Sequence, residues 1–327
     1  MIRVTTASRL HCGLLSLGGD GTCKPDRHGD PVLPMRRFGS VGFMIEKPGG
    51  CVSVAPAVEW SAQGPLAERA LAFARRFAQS IDSALSPHRL IVEQSPPEHV
   101  GLGVGTQLGL AVARALAASA GLAMSAAELA RRVERGQRSG LGVHGFEEGG
   151  FLVDGGKRAA GGVAPLVARL PFPETWRVLL VIPPSESGLH GQREQEAFVR
   201  LTTMVDTSSR TDALCRLVLL DLLPALMESD LPAFGEALFE FNTRAGEAFA
   251  AVQGGTYASP LVAEVVAFLR AQGIAGVGQS SWGPAVFAVS DREDYLRHLI
   301  DRVRERFALP PTALLVTSGC NRGAVMS

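Results

Sequence analysis

Four glycines, Gly101, Gly103, Gly105 and Gly109, fall within nine residues between an apolar stretch and the run QLGLAVARAL. In that run Leu108, Ala111, Val112, Ala115 and Leu116 recur at helical spacing, with Thr106 placed to cap, so the segment reads as strand, glycine loop, helix. A bare backbone opening a helix exposes N–H groups at the positive end of the helix dipole, and without Cβ atoms an anion can approach closely. The plain alternative is a tight turn, with Gly109 serving close packing. Two familiar phosphate motifs are excluded. The only Gly-Lys pair, Gly156-Lys157, is followed by Arg158 and lacks the upstream glycine of a P-loop. A dinucleotide fold needs a strand after the first helix, ending in an acidic residue about 20 positions past the glycines. Here a second helix follows at once, opened by the capping-box spacing of Ser125 and Glu128.

A chain of 327 residues exceeds the usual single core, so two domains are expected. Its 32 basic and 32 acidic side chains cancel without long blocks of one sign, which argues against a nucleic-acid partner. Five scattered cysteines with no C-x-x-C pair fit reduced thiols, and no charged-then-apolar leader opens the chain. The longest apolar stretches, such as Leu217 to Leu226, carry Asp221 and Pro224 and fall short of the roughly 20 residues needed to span a bilayer. A soluble cytoplasmic protein with no membrane partner is the expectation. Only three basic residues are lysines, Lys24, Lys47 and Lys157. The other 29 are arginines, suited to bidentate phosphate and carboxylate contacts or simply a mark of codon usage.

Short strands are expected at Ile2 to Thr6, Val41 to Ile45, Cys51 to Ala55 and Arg89 to Val92, with an exposed loop over Gly18 to Pro34. RSGLGVHGFEEGGFLVDGG, Arg138 to Gly156, reads as a second glycine-rich loop leading into the strand FLVD. Prolines between Pro165 and Thr175 place a boundary near residue 172, giving domains 1–172 and 173–327. The second half reads as helices over Thr211 to Glu228, Leu231 to Val252 and Ser259 to Gln272, then a glycine loop, a strand, a helix with Leu296, Leu299, Ile300, Val303 and Phe307 on one face, and a last strand. That order predicts an α+β unit, an antiparallel or mixed sheet with helices on one side.

The order ASRLHCGLLSLG (Ala7 to Gly18), P-x-x-x-G-L-G (Pro97 to Gly103) and GVGQSSWGP (Gly276 to Pro284) resembles the GHMP kinase superfamily. GLGVGTQLGLAVARAL, the Arg138 to Gly156 loop and G-x-x-E-x-x-A-F (Gly191 to Phe198) are similar to one branch, the β-ribofuranosylaminobenzene 5'-phosphate synthases. The resemblance implies a two-domain α/β fold, GHMP-kinase-like, with an N-terminal mixed β/α domain and a C-terminal ferredoxin-like α/β sandwich. It also implies a reaction in which phosphoribosyl pyrophosphate condenses with 4-aminobenzoate or 4-hydroxybenzoate, losing pyrophosphate and carbon dioxide, as a step of methanopterin synthesis. Mg²⁺ and a homodimer belong to the same implication.

Kinases of the superfamily commonly carry S-G-x-D, whose Asp activates the accepting hydroxyl. Here the stretch is Ser139-Gly140-Leu141-Gly142, and glycine cannot act as a base. A kinase would need Glu147 or Asp154 as a substitute. A non-catalytic relative that binds the sugar donor is the third reading. On the resemblance, the expected phosphate and substrate contacts are Gly101, Gly103, Gly105, Thr106 and Gln107 in the loop, Arg9 and His11 after the first strand, His99 before the loop, Arg193 and Glu194 in the G-x-x-E segment, and Ser280 and Ser281 from the other domain. Arg138, His144, Glu147 and Asp154 are the candidate catalytic groups, with Thr106 and Glu147 as Mg²⁺ ligands. Each has a plain counterpart: packing for the histidines, solvation for Glu147, a turn-closing role for Asp154. Around the departing carboxylate apolar contacts are expected, because burial destabilises the anion relative to carbon dioxide.

Overall fold

Alternating burial along Ile2–Leu14 marks a strand with one face inward. In the computed structural model, which describes residues 1–17, 36–81, 85–158, 161–184, 196–197, 199–201 and 208–327, this strand (β1) pairs antiparallel with β2, Ser40–Pro56. The two stretches expected at Val41 to Ile45 and Cys51 to Ala55 are therefore one strand. Its register jumps between Thr6↔Gly50 and Ser8↔Ile45, so the proline and glycines between them form a bulge instead of an end. Its second half pairs with β4 (His88–Gln94), against which β3 (Ser61–Gln63) lies parallel; its first half pairs with β5 (Phe151–Asp154), which carries β6 (Leu166–Leu170).

Four helices accompany this sheet. α1, Ala67–Gln79, buries Ala70, Phe73, Ala74 and Phe77, the i, i+3, i+4, i+7 stripe of an amphipathic helix. α2, Val104–Ser119, follows the glycine loop and is buried along most of its length. α3, Ala126–Arg132, opens with the expected capping box. α4, Leu141–Glu148, corrects the reading of residues 138–156 as loop. Its internal glycines serve close packing: a Cβ on Gly145 would overlap the Met44 thioether, and one on Gly142 would sit 3.1 Å from Thr106 Cγ2.

The second sheet contains β7 (Arg177–Val181), β8 (Gly276–Gln279), β9 (Val286–Ser290) and β10 (Leu314–Ser318) in the order β10-β7-β9-β8, antiparallel throughout. Between β7 and β8 lie α5 (Ser208–Leu217), a π-helical turn (Val218–Leu222), α6 (Leu223–Glu228), α7 (Leu231–Glu247), α8 (Ala250–Gln253) and α9 (Pro260–Ala271). α10, Glu293–Phe307, follows β9. Leu179, Val181 and Ala288 meet Val265 and Leu269 of α9 and Leu299 of α10. Helices on one side were expected, but both faces are covered. Val178, Leu180, Phe287 and Val289 point the other way, into a core shared with Phe234 and Phe241 of α7 and with Phe43 and Phe151 of the first sheet.

The changeover between sheets falls between Leu170 and Arg177. The second region is not confined to its own sheet, however, because the tail comes back. Cys320 N–H donates to Met44 O at 2.8 Å, and β11, Val325–Met326, pairs with β1. Among the described residues no helix is long and apolar enough to cross a membrane.

Candidate active site

Three sequence-distant segments meet where α2 begins. Gly103, the residue before α2, has φ +71°, and a Cβ there would lie 2.9 Å from Arg9 Nε, so glycine serves both the left-handed backbone and the close approach of the arginine. Ser280 Oγ donates to Gly101 O at 2.7 Å and accepts from His11 N–H at 2.9 Å. Ser281 N–H donates to His11 O at 3.0 Å, and Ala285 N–H to Val100 O at 3.2 Å. Asn242 of α7 completes the junction, donating to Cys12 O and Gln279 O and accepting from Gln279 N–H. A lone Asn on the buried face of an apolar helix was the available signal for it, since buried polar groups need partners.

The junction floors a cleft of about 840 Å³. Arg9, His11, His99, Gly101, Gly103, Gly105, Thr106, Arg138 and Ser281, all sequence candidates, line it. Ser280 and Gln107 are buried behind it; Gln107 Nε2 donates to Gly142 O at 2.8 Å and so ties α2 to α4. His11 is 6% exposed with no hydrogen-bond partner on Nδ1. Burial, and secondly the charge of Arg9, hold its pKa well below 6.5, so the imidazole is neutral. At one end Phe249 and Trp282, with ring centroids 4.6 Å apart, form an apolar corner beside Leu14 and Ala245.

Three candidates stand elsewhere. Asp154 is fully buried and accepts from Ser40 Oγ, Ser139 Oγ, Gly140 N–H and Gly156 N–H. Burial pushes its pKa up while those donors oppose the rise. It does not face the cleft; it pins Ser139 and Gly140 ahead of α4. Glu147 also lies away from the cleft, accepting from Arg114 Nη2 at 2.8 Å and Ala126 N–H at 3.0 Å. His144 Nε2 donates to Ala164 O at 2.7 Å and fastens the segment after β5. Arg193 and Glu194 fall outside the described residues.

Sequence reasoning missed Arg69, Arg76, Glu98, Glu134 and Arg135, all lining the cleft. Arg69 and Arg76 ride on α1, a helix the sequence reading passed over. Arg69 pairs with Glu98, and Arg76 with Glu134 at 3.3 Å. Mg²⁺ takes oxygen ligands, usually one or two carboxylates besides substrate phosphates. Both described cleft carboxylates are held in these ion pairs, Thr106 Oγ1 accepts from Arg135 Nη2 at 3.4 Å, and no group of three or more His, Cys, Asp or Glu converges among the described residues. The described donors of the cleft thus do not fit a resident Mg²⁺.

Known proteins place this arrangement. The family described as GHMP kinases N terminal domain matches residues 66–151, and GHMP kinases C terminal matches residues 222–309. A homoserine kinase from Cytophaga hutchinsonii shares the fold with a TM-score of 0.67 at 14% identity, over 99% of this chain and 97% of that one. Beta-ribofuranosylphenol 5'-phosphate synthase from Methanothermobacter thermautotrophicus is 32% identical over 99% of this chain and 98% of its own length. The protein of the same name from Archaeoglobus fulgidus is 31% identical over 89% and 88%. With the glycine loop, the first-strand motif and the late serine loop meeting in one cleft, and with similarity end to end, the chain belongs to the β-ribofuranosylphenol 5'-phosphate synthases, transferases built on the GHMP kinase fold.

Proposed function

We propose that the chain condenses phosphoribosyl pyrophosphate with a 4-substituted benzoate, releasing pyrophosphate and carbon dioxide. One observation carries this reading beyond family membership. The cleft has a helix start suited to phosphate, yet the position of the kinase carboxylate is Gly142, packed on Thr106, and the described cleft carboxylates are occupied by arginines. A site suited to phosphates in which glycine stands where a kinase carries its carboxylate, and in which the described carboxylates are ion-paired, suits departure of diphosphate from the sugar better than phosphorylation.

In this reading the amides at Gly103 to Gly105 face the charge that grows on the leaving diphosphate. The bond from the anomeric carbon to the diphosphate oxygen breaks, and the ring carbon bearing the carboxylate forms the new bond to the sugar. An electron-donating hydroxyl or amino group opposite that carbon spreads the positive charge. The carbon–carboxylate bond then breaks, its electron pair returns to the ring, and carbon dioxide departs. Phe249 and Trp282 offer the apolar surroundings that favour neutral carbon dioxide over the carboxylate. The relatives are named for a ribofuranosylphenol product, which favours 4-hydroxybenzoate as acceptor. A methanopterin-pathway role, a cytoplasmic location and a homodimer complete the proposal on the strength of the resemblance.

The test is incubation of the purified chain with phosphoribosyl pyrophosphate and each benzoate, with and without Mg²⁺. Equal release of carbon dioxide and pyrophosphate is expected, with Gly103→Ala lowering kcat/KM by about tenfold to a hundredfold as the methyl displaces Arg9. Consumption of ATP with small alcohols, or donor binding without turnover of any benzoate, would overturn the proposal in favour of a kinase or a non-catalytic relative.

A further inference from the structure

The start of α2 is electrostatically unusual. A helix N-terminus carries partial positive charge and favours anions, yet α2 has no acidic residue in its first turn and no side-chain cap on Gly103. Cations gather there instead. A Cβ on Gly105 would overlap Arg69 Nη2 and lie 3.5 Å from Arg135 Nη2, while Arg9 leans over Gly103. The Arg69 guanidinium is partly buried, and desolvation lowers its pKa.

Arg9 from β1, Arg69 from α1 and Arg135 from just after α3 thus converge on the first turn of α2. Like charges crowded onto a helix dipole of the same sign repel, and the repulsion is relieved by a ligand with several negative charges. Buried His11 Nδ1, without a partner and lining the same cleft, is a second mark of a site shaped for a ligand.

We infer that Arg69 and Arg135 clamp the diphosphate over Gly105 and Thr106, supplying from the protein the neutralisation that such sites commonly take from a protein-bound metal. The inference rests on the proposed reading of the loop as a diphosphate site. It accounts for the donor set: the carboxylates that could have held a cation serve the arginines, with Glu98 orienting Arg69. Two planar forks can grip several phosphate oxygens at once, which a point charge cannot. It also gives the glycine at position 105 a reason, since any side chain there would push Arg69 away.

Calorimetric titration of inorganic pyrophosphate into the full chain, in excess EDTA and again in Mg²⁺, tests this. The expected result is binding in EDTA, weakened about tenfold or more by Arg69→Gln and by Arg135→Gln, as loss of a charge-assisted contact implies. Arg114→Gln, which touches Glu147 outside the cleft, should bind pyrophosphate as the parent does. Affinity for 4-hydroxybenzoate should stay unchanged in both clamp variants, which a merely structural role would not ensure. If Arg69→Gln fails to fold, Arg69→Gln combined with Glu98→Gln removes the stranded carboxylate, and Arg135→Gln carries the test independently. Pyrophosphate binding unmoved by the clamp substitutions, or appearing only with Mg²⁺, overturns the clamp while leaving the diphosphate site standing. Absence of pyrophosphate binding to the parent under both conditions overturns the site and the clamp together.

Discussion

His11 shows how a single side chain ties the cleft to solution pH. The imidazole is buried beside Arg9, and both effects keep its pKa well below 6.5. In the unfolded chain the same group takes up a proton below about 6.5, so there the unfolded state binds more protons than the native one. Stability from this residue is therefore full above that pH and declines as pH falls beneath it. His11→Gln should flatten the decline: urea midpoints at about pH 5.5 and about pH 7.5 should lie closer together than in the parent. An unchanged gap would mean the native imidazole titrates normally. Arg9, His11 and the loop glycines, which line the cleft, could be picked out because each sits in a short local motif, although what holds them together, Ser280 and the approach of Arg9 to Gly103, is distant in sequence. Asp154 and Glu147 were not legible as cleft outsiders. A carboxylate in a glycine-rich segment looks the same in sequence whether it faces a ligand or, like Asp154, accepts four hydrogen bonds inside the core.

Helices were legible from a start signal or from a counted apolar stripe: α3 by its capping box, α2 and α10 by spacing alone, α2 being preceded by uncapped Gly103 with the expected cap Thr106 inside the helix. Ser125 accepts from Glu128 N–H while the Glu128 carboxylate accepts from Ser125 N–H, so α3 begins where the pattern predicts. Ser125→Ala should cost about 1 kcal/mol in urea denaturation. Because Ser125 does not line the cleft, kcat and KM should be unchanged. A loss of activity exceeding the loss of folded protein would show that α3 positions Arg135 through its own first turn. α1 gives no such signal: it starts after Leu66, in a left-handed conformation with no side-chain cap, although the spacing of Ala70, Phe73, Ala74 and Phe77 was there to be counted. That omission hid Arg69 and Arg76 from the sequence reading. α4 was hidden for the opposite reason, since glycines needed for contact with Met44 and Thr106 look like loop residues until their neighbours are known.

At the scale of the molecule, two domains were expected from length, and two sheets exist, but aromatic packing runs continuously between them. Phe43 of β2 stacks on Phe172 at 4.8 Å and meets the edge of Phe287 in β9 at 5.7 Å. Phe151 and Phe172 both turn edges to Phe234 of α7. Asn321, from the returning tail, clasps the Phe172 backbone on both sides, accepting from its N–H at 2.7 Å and donating to its carbonyl at 2.8 Å. None of these partners is near another in sequence, so periodicity could report that each was buried but not that they share one core. Such sharing has a thermodynamic consequence: the halves should unfold together, and far-UV circular dichroism and tryptophan fluorescence should give coincident urea transitions. Phe43→Ala leaves a cavity where both sheets meet and should shift the two transitions together by about 3–5 kcal/mol. If instead only one signal moved, each sheet would possess its own independent core, and the cleft between β1 and the Ser280–Ser281 turn would be held by hydrogen bonds alone.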